Sequence, residues 1–493
     1  MNRALAAIFV LACALSATAC KRSTAKPCGA WEKGKDGHCE ALRFRSLTGS
    51  SGLGEGTAGV YAMIADGEGK FVAAWEAGET GREPFLTVAE EVGESVAVHV
   101  ASRALPPAMN FGPVLGAGPG KSVTLAWQHQ TPDAASIVLG ERHADGTWAF
   151  PSRLEDALSL PGVWTGNPKL QCVPSGRCLM VWTQAGAADK SFFALGVSER
   201  SAVGKPWTRP SDRTDVINPK VMFVDDNDLA LGANGEGLVT WYQAGSDKPG
   251  GGGVLAVYKS ERKSPADPFP HIAKNDTISP RNRDVSGNRG GKAVLPLLGP
   301  EGRAAILWSQ ENSTTLAGDT RTIMVAVRKP DGAWDIPSTV EEGLVEKGID
   351  AFWVQGTFRV DGSLVVVWQE GNSSPGRRVR AAVLAPGSRK LTSPAIDLST
   401  PGTEGMVPSV AYSPRRGVVV AWAERTHDLP FRVLVRKWAP DEATFGRALP
   451  VSTADGVDVG SPRVSIGGPN ERVIVSWKRG DPTHERIMAG AFD

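Results

Sequence analysis

The chain has 493 residues, of which 41% are hydrophobic and 22% charged, a balance that supports a sizeable folded core and argues against intrinsic disorder. Its 57 glycines and 35 prolines are about a fifth of the chain, against a usual share of about 12%, which indicates many turns rather than a helical protein. The 54 basic and 53 acidic residues nearly cancel, which excludes a nucleic-acid binder that relies on a basic surface.

Residues 1–20 read MNRALAAIFVLACALSATAC, in which Arg3 precedes an apolar run and small residues lead to Cys20. This pattern is typical of a secretory signal and is too short for a membrane-spanning helix. Residues 17–20, ATAC, resemble the lipobox of bacterial lipoproteins, in which the cysteine becomes the lipidated first residue of the mature chain. The resemblance implies a signal peptide over residues 1–19 and acyl chains such as palmitate on Cys20. Cys13 is the rival lipidation site. The other alternative is an ordinary secretory signal peptide that is cleaved near Ala19, in which case Cys20 carries no lipid.

Four cysteines remain if Cys13 leaves with the signal and Cys20 carries lipid: Cys28, Cys39, Cys172 and Cys178. They form two local pairs, and an even number of cysteines in an exported protein favours disulfides. Neither pair has C-x-x-C spacing and no histidine cluster accompanies them, which argues against zinc. We therefore expect the disulfides Cys28–Cys39 and Cys172–Cys178, the second of which would staple a hairpin around the turn VPSGR.

A short aliphatic run that ends in tryptophan recurs eight times, with successive tryptophans 52 to 67 residues apart. The copies are FVAAW (Trp75), VTLAW (Trp127), CLMVW (Trp182), GLVTW (Trp241), AAILW (Trp308), VVVW (Trp368), VVVAW (Trp422) and VIVSW (Trp477). A second apolar run follows in each unit, such as SIVLGER or RVRAAVLA, and then a weaker segment leads to a proline-containing start. Each repeat thus predicts about four strands joined by turns.

The strand runs are apolar on both alternating faces, as in the run that ends at Trp422. A sheet with one face in water would alternate apolar and polar residues, and the mature chain has no convincing capped helix to cover a second face. Small sheets stacked around an axis satisfy this pattern. The sequence predicts an all-β fold: a single β-propeller of eight four-stranded blades, with each tryptophan packed between neighbouring blades. Seven blades, with the irregular stretch between Trp241 and Trp308 miscounted, is the alternative.

The last repeat ends after three strands, and residues 40–49, EALRFRSLTG, precede the first repeat without a unit of their own. This N-terminal segment would supply the missing outer strand and close the ring; the alternative is that it pairs within the first blade. The expected organisation is a signal peptide over residues 1–19, a lipid-anchored tether with Cys28 and Cys39 over residues 20–39, and a β-propeller domain over residues 40–493.

The repeat length and strand pattern resemble those of bacterial β-propeller lipoproteins and, more loosely, of sialidase-like propellers. Two turns, ADGTW at Trp148 and PDGAW at Trp334, resemble the Asp-box turn of the sialidase-like family but are one residue short of it. We interpret both as hairpin turns. A working sialidase would need an arginine cluster for the substrate carboxylate and a Tyr–Glu nucleophile pair. The family's Phe-Arg-Ile-Pro segment is missing from the sequence, which has only four tyrosines.

Few residues indicate a site. The run Asp225-Asp226-Asn227-Asp228 could ligate Ca²⁺ but lacks the glycine and distal acid of a calcium loop, so we expect a solvated turn. No motif indicates a metal or another cofactor. Polar residues follow the tryptophans, and they would ring the ligand-binding face if each tryptophan strand is the second of its blade. The candidates, which could instead tie neighbouring blades together, are Glu76, His129, Gln184, Gln243, Gln310, Glu370 and Glu424.

These observations predict an outer-membrane or surface lipoprotein that acts as a non-catalytic binding or scaffolding propeller. Lys21 follows Cys20 at the position where an aspartate would resemble an inner-membrane retention signal. The expected partners are the lipid bilayer, through the anchor, and a protein or glycan ligand on the propeller, with no nucleic acid. A degenerate sialidase-like glycoside hydrolase and a carbohydrate-binding lectin are the alternatives, although no catalytic motif supports an enzyme.

Overall fold

The computed structural model describes residues 32–35, 38–41, 44–49, 52–53, 57–78, 85–185, 193–212, 215–218, 224–244, 255–272, 276–280, 294–315, 318–372, 376–440, 442–453, 455–480 and 485–492. The chain divides into two compact units, Met1–Leu42 and Arg43–Asp493. The first unit holds a hairpin of β1 (Glu32–Lys35) and β2 (His38–Ala41). No helix in these described ranges is long and apolar enough to cross a membrane.

The second unit consists of eight antiparallel sheets, seven of which use strands that are consecutive in the chain. Their first strands are β4 (Thr57–Ala65), β8 (Met109–Ala117), β12 (Thr165–Cys172), β15 (Val224–Leu231), β18 (Val294–Leu298), β22 (Ala351–Phe358), β26 (Glu404–Ser413) and β30 (Val459–Gly467). Their second strands are β5 (Phe71–Gly78), β9 (Val123–Gln130), β13 (Cys178–Ala185), β16 (Gly237–Ala244), β19 (Ala304–Thr315), β23 (Leu364–Glu370), β27 (Gly417–Arg425) and β31 (Arg472–Arg479). Their third strands are β6 (Phe85–Val92), β10 (Ala135–Arg142), β14 (Phe193–Arg200), β17 (Leu255–Arg262), β20 (Gly318–Arg328), β24 (Arg378–Leu384), β28 (Arg432–Trp438) and β32 (Arg486–Phe492).

The fourth, outer strands are shorter than the others in most blades. They are β7 (Ser95–Val100), β11 (Trp148–Ala149), β21 (Trp334–Asp335), β25 (Ile396–Asp397), β29 (Leu449–Pro450) and, in blade 8, β3 (Phe44–Ser46). In blades 3 and 4 single bridges from Trp207 and Thr277 take the fourth position. The helical elements within the described ranges are the 3-10 turns Leu154–Asp156, Pro300–Gly302 and Val340–Glu342.

The eight sheets are the blades of a β-propeller. The first strand of every blade contacts the first strand of the next, and β30 of blade 8 contacts β4 of blade 1. The first strands therefore surround the central axis, and the fourth strands lie outermost. This arrangement confirms the predicted eight-bladed ring and excludes the alternative of seven blades.

All eight repeated tryptophans lie in second strands, and seven of them are at most 1% exposed, in agreement with the predicted packing between blades. These strands are apolar on both faces because a neighbouring blade covers each face. Trp422, for example, packs in one cluster with Val367 and Val379 of blade 6 and with Val420 and Leu434 of its own blade.

The ring is closed by the N-terminal strand, as the sequence predicts. β3 pairs antiparallel with β32, with Phe44 opposite Phe492. Leu47 extends the pairing, since its N–H donates to the Ala489 carbonyl at 2.9 Å and its side chain is buried in the core that blades 8 and 1 share. The last blade thus takes its outer strand from the start of the unit.

Buried arginines at the ends of four third strands join neighbouring blades. Each forms an ion pair with a glutamate in the third strand of the preceding blade: Arg142–Glu90, Arg200–Glu141, Arg262–Glu199 and Arg328–Glu261. The ADGTW and PDGAW turns join β10 to β11 and β20 to β21, which confirms that they are hairpin turns. They place the indoles of Trp148 and Trp334 so that each donates to one of these glutamates, Glu90 and Glu261.

The predicted disulfide between Cys172 and Cys178 is present and joins β12 to β13. Cys13, Cys20 and Cys28 lie outside the described residues. Lipidation of Cys20, the rival role of Cys13 and the Cys28–Cys39 disulfide therefore stay predictions.

The expectation that residues 225–228 form a solvated turn is wrong, because they lie within β15. Asn227 pairs with Trp241 and Asp228 with Thr240 across a register shift. Asp226 accepts a hydrogen bond from Asn167 Nδ2 of blade 3 at 2.9 Å. Ladder pairing and this contact between blades override the preference of Asp and Asn for turns.

Candidate functional site

Within the described residues, seven first strands are interrupted by a β-bulge near their N-terminal ends, at or next to the position opposite the tryptophan of the second strand. In five of these bulges one residue has a left-handed backbone, and these five residues, which we call the bulge ring, are Gly112, Asn167, Trp353, Val407 and Ser461. Because the first strands surround the axis, the bulge ring lies around the axis at the end where the second strands finish. Bulges are common beside binding sites because they redirect side chains.

Two members of the bulge ring are under backbone strain. Trp353 has φ 54° and Val407 has φ 52°, a region that bulky and β-branched residues rarely adopt and that costs about 1–3 kcal/mol. The Val407 bulge is held by the preceding blade, since its N–H donates to Gln369 Oε1 at 3.1 Å. Such strain persists only where the surrounding structure imposes it.

The same contact recurs between blades 1 and 2. The Gly112 N–H donates to Glu76 Oε1 at 2.8 Å. Burial raises the pKa of the Glu76 carboxyl, whereas the Gly112 N–H and the nearby Lys478 act to lower it. Of the seven predicted ligand-face residues, Glu76 thus lies next to the bulge ring and joins two blades.

The other six candidates lie inside the blades, two positions after their tryptophans, and are at most 1% exposed. Five of them accept the indole N–H of that tryptophan at 2.6–3.2 Å: Gln184, Gln243, Gln310, Glu370 and Glu424. In blade 2, the Trp127 indole and His129 Nδ1 both bond to Asn110 Oδ1. The tryptophan strand is the second of its blade, as the ligand-face hypothesis required, but these six side chains point into the core.

The side chains that do reach the surface at this end were not singled out by the sequence. Trp353 is partly exposed, Ser461 is exposed, and Trp164, just before β12, is 39% exposed. In the first strands of blades 1 and 2, Val60 is 56% and Met109 43% exposed. This end of the axis therefore combines aromatic and aliphatic surface with hydrogen-bonding groups, a composition typical of ligand sites.

A second group at this end lies on blades 6 and 7 and consists of arginines around three buried glutamates. We call it the arginine cluster: Arg377, Arg378, Arg380, Arg425, Arg432 and Arg436. The glutamates, Glu370, Glu404 and Glu424, are at most 2% exposed. The runs RRVRAAVLA and FRVLVRK carry five of these arginines, but the sequence could not show that the two runs form the third strands of adjacent blades.

In the part of the chain that the structure describes, no group of three His, Cys, Asp or Glu side chains could hold a metal ion.

The sequence matches no family model and no curated protein. Among solved structures, the chain is similar to the polysaccharide lyase Uly1 at 9% identity and a TM-score of 0.45, over 94% of each chain. It is similar to the BP39L lectin from Burkholderia pseudomallei at 12% identity and a TM-score of 0.45, over 83% of this chain and 100% of the lectin. It is also similar to the Hadza microbial sialidase Hz136 at 11% identity and a TM-score of 0.41, over 87% of this chain and 74% of the sialidase. At these identities the likeness concerns the overall fold alone.

Proposed function

We propose that this protein is a non-catalytic binding propeller, held on the outer membrane or cell surface by lipid on Cys20, and that its ligand binds at the bulge ring. The observation that carries the proposal is Trp353, a partly exposed aromatic residue on an innermost strand with a strained, left-handed backbone. Strain of this kind is concentrated at ligand clamps and active sites. A glycan is the ligand class that we favour, because a ring that carries a partly exposed tryptophan together with the amide of Asn167 and the hydroxyl of Ser461 suits a sugar with its apolar face and hydroxyls.

The buried carboxylates at this end favour binding over glycoside hydrolysis, which needs two carboxyl groups free to act on the substrate. Both oxygens of Glu370 are occupied, Oε2 by the Trp368 indole and Oε1 by Arg378 and Arg380. Glu404 lies between Arg377 and Arg425. These carboxylates are thus used in contacts within the fold, which leaves them poorly placed to act on a substrate.

Truncation of Trp353 tests the ligand site. On an array of immobilised neutral and acidic glycans, Trp353→Ala should weaken binding about 30-fold, the loss expected for a residue worth about 2 kcal/mol. Trp353→Gly should lose binding equally while its melting temperature stays the same or rises, because glycine relieves the left-handed strain. Val360→Ala, in the turn at the opposite end of the same blade and 71% exposed, should bind like the wild type.

Undiminished binding by both Trp353 variants would reject the bulge ring as the site. If the wild type cleaved a glycan and Glu76→Gln did not, that result would instead favour the hydrolase alternative. A general acid needs a raised pKa, and the pKa of Glu76 is raised.

Replacement of Cys20 tests the anchor. Cys20→Ser should move the protein from the membrane fraction to the soluble fraction, because several acyl chains together give stable anchoring and none would remain. Membrane pellets washed with high salt and probed for the protein give the readout. Release by Cys13→Ser instead would assign the lipid to the rival cysteine, and retention of both variants would refute a lipid anchor.

A further inference from the structure

The outer strand of blade 1 differs from the outer strands of the other blades. β7 has six residues, whereas within the described ranges the other blades end in strands of two or three residues or in a single bridge. In the same part of the chain β7 pairs with β6 alone, so its other side is a free sheet edge. A very short edge strand is one means by which proteins prevent unwanted strand pairing, and blade 1 does not use it.

The hydrogen bonds between β6 and β7 show which backbone groups lie on the free edge. The Ala101 N–H, just after β7, donates to the Leu86 carbonyl at 2.8 Å. Bonded and non-bonded pairs alternate in an antiparallel ladder, so the odd-numbered residues of β7 also bond to β6. The N–H and C=O groups of Val96, Val98 and Val100 therefore point away from the sheet, and no strand in the described part of the chain pairs with them.

The side chains of β7 favour the addition of a further strand. Its sequence, SVAVHV, has three valines and contains no proline and no acidic or strongly basic residue, the types that natural proteins place on an edge to block pairing. Val98, in the middle of the strand, is 53% exposed. His99 is already used within the blade, since its Nε2 lies 3.0 Å from Glu90 Oε1. The free edge is thus apolar and unprotected.

The edge is complementary to itself in one antiparallel register. If Val98 pairs with Val98 of a second copy, Val96 of each copy lies opposite Val100 of the other. All the outward-facing groups of the three valines then find partners, which gives about six backbone hydrogen bonds, two for each pair of valines. Directly opposed β-branched residues also stabilise a ladder through their side chains.

Two charges beside β7 fit the same register. Glu94, in the turn before β7, and Arg103, in the turn after it, are exposed and pair with no charged group in the described part of the chain. With Val98 at the centre, Glu94 of each copy lies at the end of the other copy's β7, where Arg103 follows. Opposite charges therefore meet at both ends of the paired strands, and no charged residues oppose each other between them.

We propose that the protein forms a symmetric dimer in which the β7 strands of two copies pair antiparallel, so that two four-stranded blades become one eight-stranded sheet. The two-fold axis passes between the two Val98 residues, and each copy contributes the same surface. The interface is small, so we expect a Kd on the order of 10 µM. The inference is independent of the proposed ligand, because β7 is the outermost strand of its blade and the bulge ring surrounds the central axis.

Sedimentation velocity over a concentration series tests the dimer. The full chain carries Cys20→Ser, so that neither lipid nor detergent contributes to association. Val98→Lys should raise the Kd by at least about 10-fold, because it places two like charges directly opposite each other. The monomer should stay folded, since this side chain is half exposed. Val360→Lys adds the same charge to an exposed turn of blade 6 and should dimerise like the wild type.

Exchange of the flanking charges tests whether the partner is a second copy. Glu94→Arg and Arg103→Glu should each weaken self-association about 10-fold, because each places like charges at both ends of the interface. An equimolar mixture of the two variants should associate like the wild type, since every charge then meets its opposite. Both side chains are exposed, so the melting temperature of each variant should match that of the wild type. A mixture that associates as weakly as the separate variants contradicts the register.

Hydrogen exchange locates the interface. At high protein concentration the amides of Val96, Val98 and Val100 should exchange more slowly than in dilute protein, whereas those of Ala97 and His99, already bonded to β6, should not change. A chain that stays monomeric at about 10 times the expected Kd overturns the inference and leaves the edge to a strand of another protein. A dimer that Val98→Lys does not weaken, or that leaves exchange in β7 unchanged, uses another surface and overturns it as well.

Discussion

Replacing Trp422 by alanine should lower the free energy of unfolding by about 3–5 kcal/mol, the usual cost of truncating a large buried aromatic residue. Trp422 is 0% exposed and packs against side chains of both blade 6 and blade 7. The neighbouring strands are fixed by their ladders, so they can collapse only partly into the space. A clear fall in melting temperature, followed by circular dichroism, is the expected result.

Trp422→Phe is the matched control that separates volume from hydrogen bonding. It keeps most of the packing but removes the N–H that Glu424 Oε2 accepts at 3.1 Å. That oxygen keeps the Thr400 N–H at 2.9 Å, so the cost should be about 1–3 kcal/mol, smaller than for alanine. Equal losses for the two variants would mean that the role of Trp422 is to pair with Glu424 rather than to fill space between blades.

The number of blades could be predicted from the sequence because each blade contains one second strand with the same apolar pattern. Every second strand is covered on both faces, so it must be apolar at consecutive positions, and the run that ends at Trp422 shows this without any neighbour being known. Closure of the ring by the N-terminal strand could also be predicted from the sequence. Three strands in the last repeat and a spare segment before the first leave one pairing that completes both.

The contacts between blades could not be assigned in the same way. Arg200 is preceded in the chain by Glu199 but pairs with Glu141 of the blade before, while Glu199 pairs with Arg262 of the blade after. Each Glu-Arg dipeptide looks local in the sequence. Only the stacking of blades shows that the arginine and the glutamate serve opposite neighbours.

The candidate site was harder to predict, for a related reason. Sequence reasoning placed the ligand face on the polar residues after the tryptophans, but an indole N–H in a dry core needs an acceptor, and residues such as Gln243 and Glu424 supply it. The bulges carry a weaker signal. Proline follows the left-handed residue in four of five, as at Val407-Pro408, and its missing N–H suits an interrupted ladder.

Deleting residues 40–49 should destabilise the outer part of blade 8. Phe44 and Leu47 would be lost from β32, whose edge would be left with unpaired backbone groups. Loss of the buried Leu47 side chain and of the strand pairing should together lower the local stability by about 3 kcal/mol. Amide exchange should therefore be on the order of 100-fold faster in β32, and then in β31, than in the middle blades. Hydrogen exchange followed by mass spectrometry resolves these segments.

The ring should not open completely in this deletion, because blades 8 and 1 are joined at the axis as well. The Tyr61 hydroxyl donates to the Ser461 carbonyl at 2.5 Å, and the Ala65 N–H donates to Ser465 Oγ at 2.9 Å. Exchange in β4 and β30 should therefore change less than in β32. Leu47→Ala in the full chain should give the same pattern at smaller amplitude. Faster exchange confined to β5 of blade 1 would contradict closure by the N-terminal strand. Because blades 8 and 1 are joined both by β3 at the outer edge and by β4 and β30 near the axis, loss of β3 should speed exchange in the outer strands of blade 8 first.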